Sequence, residues 1–364
     1  IHGYILPLPL HKIDKIPGAI LSPMNIVHQD TIDETGKIIP KDRLTHDQSF
    51  IFHGSNTTVN SRLDKSALIP CQFGWVIRRL INWAVAARRK HPKQRIFATK
   101  VDFKSAFRRC HLHHHTAVQS CTQLPDMNLA LLALRLTFGG AACPFEWSII
   151  SEMICDLATA IAHDEDWDPH ELNSPSQHLI LPPEFLDDDI PFAEGKELAV
   201  DINVSDRGTH EMYLDDLIGL GIDLPDTSNT NRAAAAAPLL AIHTCAQPLH
   251  AHEPIPQHHM ESRNKLTAEA KLSKVKIILG WKWDFRRLII SLPDNKFIAW
   301  TNIIKNILET KKVTTKELES TLGRLTHLSF VLPFVHHFLS RLRELHTRCK
   351  RHGRQSTAVS PICL

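Results

Sequence analysis

The segment Glu211-Met-Tyr-Leu-Asp-Asp-Leu-Ile-Gly-Leu-Gly221 is the most informative part of this sequence. Short apolar runs rich in Tyr, Leu and Ile flank the adjacent carboxylates Asp215 and Asp216, and such runs are typical of strands. The simplest prediction is a hairpin whose tight turn carries both Asp residues. Adjacent carboxylates repel each other and lose solvation when buried, so a divalent cation is the usual reason for such a pair. An exposed turn, in which Asp is common, is the alternative.

A third carboxylate has a matching context. The run Ile96-Phe-Ala-Thr-Lys-Val-Asp-Phe-Lys-Ser-Ala-Phe107 predicts a strand that ends at Asp102 and then turns. Two strands that deliver three carboxylates to one point would form a two-metal site for phosphoryl transfer, with Mg²⁺ or Mn²⁺ as the ion. An Asp that caps the following turn is the alternative.

A loop and a helix are predicted between these two strands. Leu136-Thr-Phe-Gly-Gly-Ala-Ala-Cys-Pro-Phe-Glu-Trp147 combines small residues, which allow close backbone approach, with Pro144 at a position suited to the first turn of a helix. Helical spacing then predicts a buried face made of Phe145, Ile149, Met153, Leu157 and Ile161.

These motifs, taken in order, resemble those of the reverse transcriptases of retroelements. The resemblance rests on Asp102 with Phe107, on Phe138-Gly-Gly140 with Pro144, and on Tyr213-Leu-Asp-Asp216. It continues in Ile278-Leu-Gly-Trp281, which is similar to a primer-grip hairpin, and in 316–325, which is similar to a thumb. The style of the sequence is closest to tyrosine-recombinase (DIRS-like) elements.

The resemblance implies an α+β, right-hand polymerase fold with fingers, a palm built on an antiparallel sheet, and a helical thumb. The implied segments are an extended lead-in (1–30), fingers (31–100), palm (101–290), thumb or connection (291–352) and tail (353–364). The implied activity is RNA-directed DNA polymerisation, which uses an RNA or DNA template, a primer, dNTPs and Mg²⁺ or Mn²⁺. RNase H and recombinase domains of the same polyprotein are expected elsewhere, since no second set of spaced carboxylates follows residue 317.

Site residues of the family are implied at the matching positions. They are the metal ligands Asp102, Asp215 and Asp216; the nucleotide contacts Lys41, Arg43, Phe107, Phe138 and Gly139; and the primer contacts Leu279, Gly280 and Trp281. Lys265, with Lys271 as its rival, would protonate the departing pyrophosphate. Phe107 would exclude a ribose 2′-hydroxyl, with a core Phe as the alternative. A solvated basic strand is the alternative for Lys41 and Arg43. Trp281 and Trp283 could pack in the core or stack on a sugar, and a core position is expected for one of them.

Charge is distributed unevenly behind a formal net charge of +3. Residues 163–226 carry 18 acidic and two basic side chains, whereas the remainder carries 21 acidic and 40 basic ones. A basic surface of that size attracts a phosphate backbone. The acidic part, 163–210, is predicted to be a surface insertion, with a strand over 198–204 that rejoins the sheet.

The C-terminal part is predicted to be helical. One helix is expected over 294–308, a second begins with the capping box Thr314-Thr-Lys-Glu317, and a third is expected over 333–351. The eight Cys residues include no Cys-x-x-Cys pair, and no apolar run reaches the length of a membrane span. An intracellular protein, in the cytoplasm or the nucleus, is therefore predicted, with no membrane as partner.

Three consecutive histidines, His113, His114 and His115, suggest a metal site, but neighbouring residues on a strand point to opposite faces. A polar strand is therefore predicted. Two alternatives to a polymerase stay open. One is a catalytically inactive nucleic-acid-binding remnant of a retroelement polymerase. The other is a metal-dependent phosphohydrolase that uses Asp215, Asp216 and the His run.

Overall fold

The structure of the chain is a computed structural model that describes residues 3–33, 35, 37–51, 56–172, 174, 176–180, 190–225, 228–246 and 260–359. The strands are β1 Ile5–Pro9, β2 Leu21–Ile32, β3 Ile38–His46, β4 Arg95–Asp102, β5 Cys121–Leu124, β6 Leu129–Ala133, β7 Thr209–Tyr213, β8 Asp216–Asp223, β9 Val275–Ile278, β10 Trp281–Asp284, β11 Ile289–Ser291, β12 Lys312–Thr314 and β13 Ser356–Ala358. The helices are α1 Val76–Lys90, α2 His114–Gln119, α3 Cys143–His163, α4 Ser228–Ala246, α5 Arg263–Glu269, α6 Asp294–Thr310, α7 Thr315–Leu328, α8 Val335–Phe338 and α9 Ser340–Arg351.

A three-stranded antiparallel sheet, in the order β4-β8-β7, carries the two motifs on which the sequence analysis began. The pairing of β4 with β8 runs from Arg95 opposite Asp223 to Asp102 opposite Asp216. β8 returns along β7, with Tyr213 opposite Asp216, so the predicted hairpin and its tight turn are confirmed. Seven of the eight residues of β4 are buried, because α4 and α5 pack against this strand.

Helix α3 buries a face that overlaps only partly with the predicted one. Leu157 and Ile161, from the predicted face, are half-buried against the core. Ile149 and Met153, expected in the core, are 48% and 52% exposed. The buried positions instead include Trp147, Ser151, Ile154, Ala158 and Ala162. The helix is apolar on more than one side, so spacing alone did not identify the buried face. Small side chains decide it, because they let α3 lie close to the buried alanines 233–237 of α4.

The described part of the acidic segment 163–210 is more closely packed against the core than the predicted surface loop. Leu172, Ser176 and Ile180 are buried, and Arg232 on α4 donates hydrogen bonds to the carbonyl oxygens of Pro169 and Ile180, both at 3.4 Å. The strand predicted over 198–204 is not formed, since that stretch has no regular secondary structure. The acidic run 187–189 lies outside the described residues. Hydrogen bonds from the Arg232 side chain and apolar burial therefore hold part of this segment against the core.

The chain divides into two compact units: Ile1–Val27 with Arg43–Ile278 and Trp283–Ile289, and His28–Asp42 with Leu279–Lys282 and Ile290–Leu364. A five-stranded sheet has the order β1-β6-β5-β2-β3, so the predicted extended lead-in contributes β1 and most of β2. None of the helices in the described ranges combines the length and apolarity that crossing a bilayer requires.

The C-terminal helices follow the predicted order. The capping box of α7 is confirmed: Glu317 N–H donates to Thr314 Oγ1 at 3.1 Å, and Thr314 N–H donates to Glu317 Oε2 at 2.9 Å. The single helix predicted over 333–351 is instead divided into α8 and α9. A small core of Val313, Leu318, Leu322 and Val359 lies within this part of the chain.

Gly208 fixes the entry to the β7–β8 hairpin. Its φ is +87°, and a Cβ at this position would lie 2.2 Å from the carbonyl oxygen of Leu220. We expect Gly208→Ala to lower the free energy of unfolding by about 2 kcal/mol or more, because both the backbone angle and the space exclude a side chain. Thermal unfolding of the purified chain measures this loss.

Gly323, inside α7, is the matched control, because nothing lies within 4 Å of a Cβ built there. Gly323→Ala should raise the free energy of unfolding by up to about 1 kcal/mol, since alanine is the better helix former. A Gly208→Ala protein as stable as the wild type would contradict the close packing of the hairpin.

Candidate active site

Three carboxylates meet at one end of the β4-β8-β7 sheet. Asp102 is the last residue of β4 and lies opposite Asp216, the first residue of β8. Asp215 precedes it in the turn, where its carbonyl oxygen accepts a 2.8 Å hydrogen bond from the N–H of Phe103. The turn requires a φ of +55° at Leu214, and this uncommon backbone geometry is held by Trp147, whose Nε1–H donates to the carbonyl oxygen of Leu214 at 2.8 Å. The structure thus brings the three predicted ligands to one place.

Burial changes the proton affinity of Asp215 and Asp216. It raises the pKa of Asp215 above its ordinary value, and the neighbouring carboxylate of Asp102 raises it further. Burial also raises the pKa of Asp216 to about 7; Lys100 opposes this shift, whereas Asp215 and Asp102 add to it. Without a cation, the arrangement is therefore one that the protein must hold against electrostatic repulsion.

Two lysines supply positive charge to this cluster. Lys265, the predicted general acid, lies on α5 with its Nζ 2.5 Å from Oδ1 of Asp102. Lys100 lies on β4 with its Nζ 3.2 Å from Oδ1 of Asp216 and 2.9 Å from Oε2 of Glu269. Lys100 was not among the predicted site residues. Residues two apart on a strand share a face, so the spacing already placed Lys100 beside Asp102. Lys271 was the rival candidate for the general acid. Its carbonyl oxygen accepts a hydrogen bond from Nζ of Lys276 at 2.6 Å.

The donor set suits a hard divalent cation, because Mg²⁺ and Mn²⁺ prefer carboxylate oxygens. Asp102, Asp215 and Asp216 supply these oxygens, but their carboxylate oxygens do not all lie within 4.8 Å of one another. Among the residues that the structure describes, only His113, His114 and His115 bring three potential ligand atoms within 4.8 Å of one another. Asp102 and Asp216 are each paired with a lysine, Lys265 and Lys100 respectively.

The His run lies at the start of a helix, not on the predicted strand. His113 is the N-cap of α2, and its ring accepts a 3.4 Å hydrogen bond from the N–H of His115. The three exposed rings lie with centroids 4.1 to 5.1 Å apart and tilts of 38 to 43°. All three rings are exposed, and exposed side chains of this kind can lie within 4.8 Å of one another without an ion. Proximity alone therefore does not make this cluster a metal site.

The predicted nucleotide contacts Phe107, Phe138 and Gly139 also come together. The rings of Phe107 and Phe138 have centroids 5.0 Å apart. Gly139 has a φ of +123°, and a Cβ there would lie 1.9 Å from the carbonyl oxygen of His46, so the loop requires glycine. Asn60 holds the loop, because its side chain donates to the carbonyl oxygen of Gly139 at 2.8 Å and accepts from the N–H of Ala141 at 2.8 Å. No sequence motif pointed to Asn60.

Lys41 and Arg43, the other two predicted nucleotide contacts, lie exposed on β3. They are two residues apart on one strand, so they share a face of it. This position leaves both side chains open to solvent. Contact with a triphosphate stays a prediction for both residues.

The predicted primer contacts form a tight turn. Leu279 and Gly280 have φ values of +51° and +80° and connect β9 to β10, as expected for a two-residue hairpin turn. Trp281 is only 2% exposed and stacks on His327 at 5.0 Å between ring centroids. The ring of Trp281 is thus a core side chain. Contact with a primer stays a prediction for Leu279, Gly280 and Trp281.

Comparison with known proteins identifies the fold. No protein-family model and no curated protein matches the sequence. The structure of the foamy viral protease-reverse transcriptase in complex with RNA/DNA hybrid matches with a TM-score of 0.50 and 13% identity, over 95% of this chain and 31% of that chain. The structure of the same protein in complex with dsDNA matches with a TM-score of 0.47 and 13% identity, over 95% of this chain and 49% of that chain. The structure of its dRH form in complex with ds DNA matches with a TM-score of 0.43 and 14% identity, over 91% of this chain and 40% of that chain.

The chain therefore has a mixed α and β, reverse-transcriptase-like fold, and it spans about a third of the length of the RNA/DNA-hybrid-bound protein that it matches. At this low identity the likeness concerns the fold alone.

The raised pKa of Asp215 has a consequence for stability. A carboxyl group whose pKa is higher in the folded state stabilises that state below its ordinary pKa, and this contribution is lost as the pH rises through the raised value. We therefore expect Asp215→Asn to raise the Tm of the metal-free chain by about 2 °C or more at pH 8, with a smaller difference at pH 5. Thermal unfolding in EDTA at the two pH values measures this.

The exposed Asp201 provides the control, and Asp201→Asn should leave the Tm unchanged at both pH values. Added Mg²⁺ should raise the Tm of the wild type more than that of Asp215→Asn. A lower Tm for Asp215→Asn in EDTA at pH 8 would show that the ionised carboxylate of Asp215 does not destabilise the folded chain.

Proposed function

We propose that this chain is the polymerase part of a retroelement reverse transcriptase. It would extend a primer 3′-hydroxyl with dNTPs on an RNA or DNA template, with Mg²⁺ or Mn²⁺ bound at Asp102, Asp215 and Asp216. Fingers, palm and helical thumb would be arranged as a right hand. RNase H and recombinase activities would belong to other domains of the element, for which the tyrosine-recombinase (DIRS-like) type remains our prediction.

One observation carries the proposal: the register of β4 and β8 places Asp102 opposite Asp216, with Asp215 adjacent in the turn. The same fold in the foamy viral protein, whose structure holds an RNA/DNA hybrid, supports a nucleic-acid substrate for this chain. The excess of basic residues outside 163–226 supports the same substrate class. Buried carboxylates that repel each other are costly to a fold, and a cation-dependent reaction gives a reason to retain them.

Each residue of the site has a proposed role in this reaction. The cations would lower the pKa of the primer 3′-hydroxyl and neutralise charge on the triphosphate. Asp102 and Asp216 would exchange their lysine partners for cations, which leaves Lys265 beside the site as a proton donor to pyrophosphate. The ring of Phe107, packed on Phe138, would stand where a ribose 2′-hydroxyl would clash.

A nucleic-acid-binding remnant without catalysis is the second candidate. Gly140-Ala141-Ala142 and the acidic segment 163–210 depart from the commoner patterns of the family, and they favour this alternative. The three carboxylates, all present and brought to one edge, favour the polymerase. Binding to a primer-template without cation-dependent extension would identify the remnant.

Primer extension decides between the two. On a poly(rA) template with an oligo(dT) primer and Mg²⁺ or Mn²⁺, we expect extension by the wild type and a loss of kcat of at least about 10²-fold in Asp216→Asn. Asp223 is a matched control, because it lies at the other end of the same strand and pairs with Arg95 at 3.3 Å. Asp223→Asn should retain kcat. Equal extension by Asp216→Asn and the wild type would place the reaction elsewhere.

Phe107 gives a second, separate prediction. Phe107→Val should raise the use of rNTPs relative to dNTPs by roughly 10-fold or more, because the smaller side chain leaves room for the 2′-hydroxyl. Phe107→Tyr keeps the ring against Phe138 and should keep the discrimination. The ratio of kcat/KM values for the two nucleotide types measures the effect, and an unchanged ratio in Phe107→Val would assign Phe107 to the core alone.

A further inference from the structure

A buried polar cluster next to the carboxylates has no part in the proposed reaction. It consists of Ser176 from the acidic segment, His243 from α4 and Glu261, which precedes α5. The hydroxyl of Ser176 donates to Oε1 of Glu261, and Nε2 of His243 lies 3.3 Å from Oε2 of Glu261. Ser176 and Glu261 have no exposed surface, and His243 is 2% exposed.

Glu261 requires an explanation because a carboxylate in the interior is unfavourable unless it is paired. An apolar side chain of similar size would fill the same space at a lower cost. The cluster is also incompletely satisfied, since Nδ1 of His243 has no hydrogen-bond partner in the described part of the chain. An arrangement of this kind specifies the position of its members more closely than apolar packing does.

The backbone around Glu261 lies directly beside the carboxylate site. Glu261 pairs in antiparallel fashion with Phe103, the residue after Asp102. The N–H of Lys104 donates to the carbonyl oxygen of Met260 at 2.9 Å, and the N–H of Ser262 donates to that of Asp102 at 3.0 Å. Residues 260–262 therefore act as a short strand that borders the end of β4.

The same three residues lead into the helix that carries Lys265. The N–H of Leu266 donates to the carbonyl oxygen of Ser262 at 2.7 Å, which ties the helix to this short strand. Lys265, on the same turn, reaches Oδ1 of Asp102. A shift of Glu261 would therefore move both the main chain that holds Asp102 and the amine that pairs with it.

We propose that Glu261 is a positioning residue for the carboxylate site, and that Ser176 and His243 fix its side chain. Through Ser176, the acidic segment 163–210 takes part in this positioning. Its buried Leu172 and Ile180, and the hydrogen bonds from Arg232, hold the segment against α4. The kinetic part of the inference rests on the proposed polymerase function, whereas the structural part does not.

The test compares Glu261→Leu with Glu261→Gln and with Ser176→Ala in the full chain. Leucine has a similar volume but no polar atom, whereas glutamine keeps an acceptor oxygen for Ser176 and a polar group facing His243. Glu171 is a matched control, because it lies exposed in the same acidic segment. Two quantities are measured: hydrogen exchange of the amides of Lys104 and Ser262, and the kinetics of primer extension.

We expect Glu261→Leu to speed exchange of these two amides by about tenfold or more and to lower kcat by about 10²-fold. Affinity for the primer-template should stay at the wild-type value. Ser176→Ala should show the same changes to a smaller degree, while Glu261→Gln and Glu171→Leu should behave like the wild type. If Glu261→Leu does not fold, Ser176→Ala decides the question, because it removes one donor to the same carboxylate.

Wild-type exchange and wild-type kcat in Glu261→Leu and Ser176→Ala would overturn the proposal. A lower Tm with unchanged local exchange and unchanged kcat would also overturn it, since a purely structural role predicts that pattern. If the wild type does not extend a primer, the proposed function fails, and the exchange measurements alone still decide whether Glu261 positions the site.

Discussion

The pairing of β4 with β8 is the constraint on which the rest of this structure depends. Its register is continuous from Arg95 opposite Asp223 to Asp102 opposite Asp216. A shift by one residue would turn every side chain of β4 to the other face and would move Asp102 away from Asp216. Because seven of the eight residues of β4 are buried, each of them would then have to pack against different neighbours. The burial of β4 therefore fixes the register, and the register fixes the site. The same strand register is therefore required both by the packing of the core and by the geometry of the site.

That register concentrates negative charge, and the surrounding elements are organised to tolerate it. Lys100 comes from the same strand as Asp102, and Lys265 comes from α5. Both form ion pairs with carboxylates of low exposure, where attraction is stronger than in water. The two lysines stabilise the edge of the sheet while leaving the carboxylate oxygens within reach of a stronger ligand. Such an arrangement suits a site whose net charge would change on binding a cation.

Glu261 is a further carboxylate that is held by polar partners, and it is completely buried. Its side chain joins Ser176 and His243, while its backbone borders Phe103. Segments that are distant in sequence thus meet at one buried carboxylate. The acidic segment 163–210, which composition describes as solvated, contributes Ser176 to the interior because apolar neighbours such as Leu172 bring it there. Composition describes the average of a segment, whereas burial is decided residue by residue.

The sequence by itself determined the hairpin of β7 and β8, the end of β4 at Asp102 and the capping box of α7. Each depends on local chemistry: short apolar runs, adjacent carboxylates, and a Thr three residues before a Glu. The buried face of α3, the helical start at His113, the core position of Trp281 and the contacts of Lys100 and Glu261 were decided only by the tertiary structure. Each depends on which other element packs against the residue, and that element comes from a distant part of the chain. Local patterns therefore located β4, β7, β8 and their carboxylates, but long-range packing chose the partners of these strands.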